Sequence, residues 1–446
     1  MDLPSNILYC IQALESASFS TYAVGGCVRD WLLGLTPHDF DLCTAATPEQ
    51  IQTVFHGHQL LLHGVKHGTV GVVLDGEVVE ITTFRTEGTY ADNRHPDWVE
   101  FVTEVQTDLA RRDFTVNAMA WSPSRGLEDP FNGQTDLKNR VLRAVGDPDQ
   151  RFREDALRIL RGIRFAARFD LTIEENTWNA MLRQLPLTDS LARERVCAEL
   201  TKLLLCVDVR HMLAYRPILT HVIPALAPMV GFDQRTAHHA YDLYTHTAHV
   251  ISNAPQTPAL RWAALLHDVG KVTTFTQDEN GQGHFYGHAQ ESARLADTIA
   301  RELKFSTALR EEVLALIDQH MTDSLPDEKL LRRRISRLGA DTFQSLLQLQ
   351  AADQRSKGVP GAETVDFTVI HAMVQKIVEE DSCLGLQDLA INGRNLLAMG
   401  YAPGKALGAC LEYLLEQVLS DALPNEPTAL CAAAQIYLEH YPEEHR

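Results

Sequence analysis

The chain has no cysteine pair at C-x-x-C spacing: its eight cysteines, Cys10, Cys27, Cys43, Cys197, Cys206, Cys383, Cys410 and Cys431, are scattered over 446 residues. That spread disfavours a zinc ribbon or a disulfide framework and reads as reduced, buried thiols. No uninterrupted apolar run approaches the roughly 20 residues of a spanning helix, and Met1-Asp2 opens without a basic region followed by an apolar stretch. A cytoplasmic protein without a membrane span is the expectation. Positive charge is in deficit, the formal net charge being −19. This argues against non-specific coating of nucleic acid but leaves room for a local basic surface. There is no obvious internal repeat or low-complexity tract. With 45% hydrophobic and 22% charged residues, the chain has material for several packed cores, which disfavours disordered and collagenous classes.

The first third reads as α/β. Helices are expected over 7–19 and 28–33, and strands over 22–24 and Asp39-Phe40-Asp41-Leu42, with β-branched runs at 69–74, 78–84 and 99–102 as further strands. Beyond about residue 150, apolar residues recur at i, i+3, i+4, which predicts helices over 155–169, 193–205, 260–266, 292–303 and 408–419. Pro, Gly and polar residues cluster at 123–133, 224–240 and 356–364, the candidate junctions.

Gly25-Gly26 stands between a short strand and a helix carrying Arg29, so backbone N–H groups and a guanidinium face any phosphate at that helix N-terminus. A paired glycine alone is more often just a tight turn. The decisive addition is Asp39-Phe40-Asp41, where period-two alternation places both carboxylates on one strand face and Phe40 towards a core. Two acids on one face repel unless a cation lies between them, and hard oxygen ligands of this kind suit Mg²⁺. Glu80, in Val79-Glu80-Ile81, is the candidate third acid of a two-metal phosphoryl-transfer site. An ordinary solvent-facing strand glutamate fits it as well.

The string Gly25-Gly26-x-Val28-Arg29-Asp30, Leu33-Gly34 and Asp39-Phe40-Asp41-Leu42 resembles the head motif of the polymerase β superfamily. In detail it is similar to class II tRNA nucleotidyltransferases (CCA-adding enzymes) and bacterial poly(A) polymerases. Arg111-Arg112-Asp113-Phe114-Thr115-Val116-Asn117-Ala118, Glu154-Asp155-x-x-Arg158, and Arg193-x-Arg195 with Glu199 follow in order. The resemblance covers nearly the whole chain. It implies an α+β multi-domain protein: a polymerase β-like head with a mixed sheet (1–135), an all-α neck and body (136–230), an all-α HD domain (231–358) and a helical tail (359–446). It also implies that Asp39 and Asp41 hold the catalytic Mg²⁺, that Gly26, Arg29 and Arg112 contact triphosphate or ribose, and that Asp113 lies at the sugar.

On a helix, Asp155 and Arg158 would share one side, with Arg161 a turn further on. Such spacing is most simply a surface ion pair. Its functional alternative rests on hydrogen-bond polarity: cytosine and adenine both place an exocyclic amine beside a ring-nitrogen acceptor, and a carboxylate with a guanidinium matches that order while rejecting uracil and guanine. The resemblance implies this role, selection of CTP or ATP without a template, and has Arg161 and Arg164 hold the triphosphate. Arg140, Arg143, Arg151, Arg153 and Arg158 add a basic patch for nucleotide phosphate or the tRNA acceptor end.

In Leu265-Leu266-His267-Asp268-Val269-Gly270-Lys271 a histidine and an aspartate close an apolar helix. His246 precedes them, and His288, His320 and Asp353 follow on later predicted helices. That order resembles the HD-domain phosphohydrolases, which gather such side chains on one or two divalent metals. Mn, Fe, Co, Ni, Zn and Mg all remain open for this second site. Lys271 is a phosphate contact or a helix cap, and His238, His239, His249 and His284 carry no comparable pattern. The tail glycines, Gly393, Gly400, Gly404 and Gly408, mark turns between short helices. They either serve a tRNA-elbow grip or are purely structural.

The expected activity is addition of C-C-A, or part of it, to the tRNA 3′ end from CTP and ATP with release of pyrophosphate. A second, metal-dependent phosphohydrolase is expected at the HD residues. An A-only enzyme or a poly(A) polymerase is the alternative within the class, and an HD phosphohydrolase with a tRNA-binding head the alternative outside it. The stretch 83–102, with Asp92-Asn93-Arg94-His95-Pro96, resembles the complete flexible loop of A-adding and full CCA-adding members and so disfavours CC-only addition.

Overall fold

A computed structural model describes residues 1–87, 99–359, 365–380 and 383–440. The chain divides into two compact units, Met1–Pro224 and Ala225–Arg446. The division falls at the start of the 224–240 cluster, and the first unit takes in the expected head (1–135) and the expected neck and body (136–230) up to Pro224.

The first unit is built on a seven-stranded mixed sheet. Its strands are β1 (Thr21–Val24), β2 (Asp41–Thr44), β3 (Gln59–Leu61), β4 (Thr69–Leu74), β5 (Glu77–Thr83), β8 (Ala120–Ser122) and β9 (Gly126–Glu128), in the order β3-β4-β5-β2-β1-β8-β9. Between them in sequence, β6 (Arg85–Glu87) and β7 (Val99–Phe101) pair as a separate antiparallel ribbon. Val, Ile and Thr fill β4 and β5, and the turn between them is Asp75-Gly76, both at positive φ (50° and 84°), the backbone a two-residue hairpin demands. Strand β1 is buried on both faces. It packs with Cys43, Phe84, Leu109, Ala118 and Val145 in the core.

Two sequence expectations shift here. The strand foreseen over Asp39–Leu42 begins only at Asp41, which pairs with Val24, so Asp39 and half-buried Phe40 lie in the approach to it. The stretch foreseen as a junction at 123–133 instead holds the hairpin turn 123–125 and the strand β9, which pairs with β8 and extends the sheet. Leu157–Phe169 and Arg193–Leu204 pack side by side in the helical part of this unit.

The second unit is almost wholly helical. Pro258–Leu266 is buried from Ala259 to Leu266 and apolar apart from Arg261, a helix that belongs in the middle of a bundle. Leu243–Asn253, Thr307–Gln319 and Ala340–Arg355 pack against it, while His288–Glu302 packs along Thr307–Gln319. The tail helices, Gly393–Ala398, Lys405–Leu419 and Pro427–His440, form a separate apolar cluster around Leu396, Tyr401, Cys410, Leu414 and Leu430. None of the described helices is long and apolar enough to cross a membrane.

Candidate active sites

In the first unit, Asp41 opens β2 between two neighbours. β1 runs antiparallel on one side, and β5 runs parallel on the other in a register that pairs Leu42 with Ile81. Glu80 therefore lies one step back on the adjoining strand, beside Asp41. All three acids, Asp39, Asp41 and Glu80, are exposed. Partial desolvation and the charges of Asp39 and Glu80 push the Asp41 carboxyl above its usual range, against the pull of Arg112. That mutual repulsion is what a cation would relieve. The acids nevertheless do not draw together: among the described residues, clusters of three metal-competent donors within 4.8 Å occur only in the second unit.

Facing these acids is a set of arginines, most of them tied to protein partners. Gly25 caps the helix Gly26–Leu32 at φ 77°, and a Cβ there would sit 3.1 Å from an Arg112 nitrogen, so the turn needs glycine twice over. Arg112 donates to Asp108 at 3.2 Å, and its Nε is buried without a partner. Arg29 is 5% exposed. It donates to Asp30 at 2.6 Å and to Asn117 at 2.5 Å, and its guanidinium lies 4.2 Å over the Phe169 ring. Asn117 donates in turn to Asp113 at 3.1 Å, and Arg161 closes the chain with bonds of 2.7 and 2.9 Å to the same carboxylate. Burial opposes ionisation of Asp113, yet Arg161 and Asn117 hold its pKa down at about 2.

The expected Asp155–Arg158 pair takes another form. Asp155 is extended (φ −145°, ψ 104°), in a break between Pro148–Glu154 and Leu157–Phe169, so it does not ride the helix that carries Arg158. Its side chain accepts from Leu157 N at 3.0 Å and from Arg195 at 2.8 Å. Arg158 donates to Glu154 at 2.7 Å and to the Arg111 carbonyl at 3.0 Å. Arg164, foreseen on the triphosphate, is buried and bonded to Glu199 at 2.6 Å, fastening two helices. The foreseen basic patch is laced with acid: Arg143 meets Asp136 and Glu174, and Arg151 meets Glu154. Asn117, Asp108, Arg195 and Glu199 are thus the site's supporting residues. All but Asp108 stood in the motifs, without a role that spacing could reveal.

In the second unit the six foreseen HD residues do converge. His246 Nε2 lies 2.9 Å from Asp353 and 3.6 Å from Asp268 Oδ2, and His267 Nε2 lies 3.1 Å from Oδ2. The other Asp268 oxygen faces His288 at 3.4 Å and His320 at 3.6 Å. Every one of these histidines turns Nδ1 to a backbone carbonyl, of Ser356, Ala264, Phe285 and Ile317 respectively, which directs Nε2 towards the acids, the Nε2 atoms of His288 and His320 lying 3.3 Å apart. His246 Nε2, His267 Nε2 and both Asp268 oxygens are buried without a hydrogen-bond partner. Orphaned polar atoms in such numbers are what a cation site leaves when the ion is not counted, so the donor set fits a divalent metal. Burial works against charge here, but Asp268 and Asp353 hold His267 up at about 10, and His267 with Lys271 hold Asp268 well below the carboxylate range.

The cluster opens into a cavity of about 350 Å³. Three histidines read as ordinary from sequence, His238, His239 and His284, line it with Lys271 and Lys357. His239 Nδ1 is buried and unpartnered, its ring 4.8 Å from that of His246. His249 stacks on Tyr241 with ring centroids 4.5 Å apart.

Residues 21–143 match the profile of the poly A polymerase head domain, residues 170–229 that of the probable RNA and SrmB-binding site of polymerase A, and residues 284–434 that of the putative tRNA nucleotidyltransferase domain 2. The CCA-adding enzyme of Levilactobacillus brevis is 34% identical over 423 residues, 95% of each chain. The chain belongs to the CCA-adding enzyme family. Its relative in Streptococcus sanguinis is 32% identical over 437 residues, covering 96% of this chain and 97% of that one. The crystal structure of Bacillus stearothermophilus CCA-adding enzyme in complex with CTP aligns at TM-score 0.73 and 25% identity, over 99% of this chain and all of the other. Thermotoga maritima CCA-adding enzyme, solved with tRNA, shares the fold at TM-score 0.57 and 21% identity, over 97% and 95% of the two chains. The protein is therefore a nucleotidyltransferase enzyme, with the mixed-sheet head and helical remainder that the motifs implied. Enzymes of this family use divalent metals.

Proposed function

We propose that this chain completes the tRNA 3′ end from CTP and ATP with Asp39 and Asp41 as the Mg²⁺ ligands and Glu80 as the adjoining acid. The observation that carries it is the register of β2, which sets Asp41 at the strand's exposed start beside Glu80 and within the field of Arg112. A divalent cation there supplies acidity to the tRNA 3′-hydroxyl and charge stabilisation to the leaving pyrophosphate. The Gly25-Gly26 turn and Arg112 receive the triphosphate. Asp113 and Asn117 meet the sugar edge, held rigid between Arg29 and Arg161. Asp155 keeps lone pairs beyond those given to Leu157 and Arg195, so it accepts from the exocyclic amine common to cytosine and adenine, while Arg158 donates to the neighbouring ring nitrogen. Extension of tRNA lacking its 3′ C-C-A, given CTP, ATP or both, tests this. No lengthening under any condition would overturn it.

A second reaction is favoured by the orphaned donor set around Asp268. We infer metal-dependent hydrolysis of a phosphomonoester or 2′,3′-cyclic phosphate, one or two divalent cations being held by His246, His267, Asp268, His288, His320 and Asp353. The bound metal supplies an acidified water. Hydrolysis would add water across one P–O ester bond, the hydroxyl going to phosphorus and the proton to the released alkoxide oxygen, which stays on the same ribose when the ester is cyclic. Lys271, 2.8 Å from Asp268 and 3.1 Å from Gln234, stands at the cavity wall to hold a phosphate oxygen. Phosphate release, or opening of the cyclic ester, assayed with Mg²⁺, Mn²⁺, Co²⁺ and Ni²⁺ in turn, tests it. Absence of hydrolysis with every metal would contradict it.

A further inference from the structure

One wall of the HD cavity serves neither metal nor phosphate. Tyr286 is 78% exposed, an unusual position for an aromatic ring that lines the same cavity as Asp268, His288, His320 and Lys271. It is not loose. His284 stacks under it with ring planes 9° apart and centroids 5.5 Å apart, and His284 is itself held by Asp278 at 3.2 Å. The segment is pinned on both sides of the tyrosine. His284 belongs to a small ladder with Thr276–Gln277, and Phe285 turns inward against Phe275 at 5.6 Å. Gly287 at φ 74° then starts the helix whose first residue is His288. A fixed ring is thus flanked by the parallel ring of His284 and stays open to solvent two residues from His288.

We propose that Tyr286, backed by His284, is a stacking platform for the base of an RNA 3′-terminal nucleotide whose ribose carries the phosphate that the HD site cleaves. This rests on the phosphohydrolase reading and narrows it: the substrate class is a ribonucleotide end, not a generic phosphoester. The argument is one of continuity. Phosphate and base of a single nucleotide must lie on connected surfaces, and here the metal-facing atoms, Lys271 and the open aromatic face belong to one cavity of about 350 Å³, within the usual range for small-ligand pockets. Stacking tolerates any base, so the platform selects for a nucleotide without selecting its identity.

The test titrates adenosine 2′-monophosphate, and separately glycerol 2-phosphate, into the full-length protein with Mg²⁺ present, by calorimetry, for the wild type, Tyr286→Ala and Tyr286→Phe. Stacking of one base is worth enough that Tyr286→Ala should weaken the nucleotide about tenfold relative to glycerol 2-phosphate, with Tyr286→Phe restoring it. The same ratio should fall in kcat/KM when the two phosphoesters are hydrolysed. Equal nucleotide affinity in wild type and Tyr286→Ala overturns the platform, as does wild-type affinity for glycerol 2-phosphate matching that for the nucleotide. Tyr286-dependent binding without hydrolysis would overturn the phosphohydrolase reading alone, whereas hydrolysis without Tyr286 dependence would overturn the platform alone.

Discussion

The two units hold acidic centres of opposite character. In the head, Asp39, Asp41 and Glu80 are exposed and spread, sharing a field but no common point. In the second unit, Asp268 is 1% exposed and meets four imidazoles and the Lys271 ammonium. In the reading proposed above, substrate completes the first centre, since Mg²⁺ takes a few carboxylates and fills its remaining positions with water and triphosphate. The second is built by the fold itself, because imidazoles fixed through Nδ1 by backbone carbonyls are oriented before any ion arrives. Substitution should therefore act on chemistry in the head and on both chemistry and metal retention in the bundle.

The largest expected effect is at Asp41. Asp41→Ala should lower nucleotide addition by more than about a hundredfold, the scale of losing several kcal/mol of transition-state charge stabilisation, with tRNA affinity little changed in a filter-binding assay. Near-normal addition by this variant would remove the contrast at its first term. His267→Ala comes next: phosphate release should vanish and bound metal, measured on the purified protein, should fall, while the same sample still extends tRNA. Loss of extension would mean that the two centres are not separable.

A third effect belongs to stability. Arg164 and Glu199 are each 8% exposed at the side chain, and removing one partner leaves a buried charge, so Glu199→Ala should cost about 3–5 kcal/mol in a urea titration. A change below 1 kcal/mol would mean that the pair is solvated. Asp155→Ala should lower discrimination against UTP and GTP by the worth of one good base-edge contact, roughly 1–3 kcal/mol, and Arg195→Ala, which frees Asp155, should do so in part. Unchanged selectivity with all four nucleotides in competition would reduce Asp155 to a helix-start residue.

The smallest effect is a pH dependence. Asp113 is held at about 2 in the fold, below the ordinary carboxylate value near 3.9. Its ionised form therefore stabilises fully above about pH 4, and that contribution disappears as pH falls towards 2. The stability gap between wild type and Asp113→Asn should be constant from pH 5 to 7 and shrink below pH 4. A constant gap down to pH 2.5 would exclude the Arg161 linkage as its source.

Local pattern carried much of this. The β-branched runs of β4 and β5 and the apolar periodicity of the bundle helices were readable, because burial face and spacing are properties of neighbouring residues. The order of His246, His267, Asp268, His288, His320 and Asp353 was readable through resemblance. The three-residue strands β3, β8 and β9 were not, since they lack a run long enough to show a period and owe their existence to long-range pairing. The break at Asp155 escaped for a related reason. A helix-like pattern does not show that a side chain will leave the helix to cap the next backbone N–H. The chain Arg29–Asn117–Asp113–Arg161 joins residues up to 132 positions apart, and nothing in spacing reveals which arginine a carboxylate will take. For the same reason the arginines expected on phosphate were hard to tell from those that hold the site together.

Nucleotidyl transfer is assigned by this proposal to the exposed acids at the entry to β2, Asp39 and Asp41, with Glu80 on β5. Its most direct measurement is the length of a tRNA lacking 3′ C-C-A after incubation with Mg²⁺ and CTP alone, ATP alone, or both, for wild type and Asp41→Ala in parallel. Wild type should lengthen the tRNA by two residues with CTP and by three with both nucleotides, and Asp41→Ala by none. Lengthening by Asp41→Ala at the wild-type rate, or no lengthening by wild type, would contradict the account.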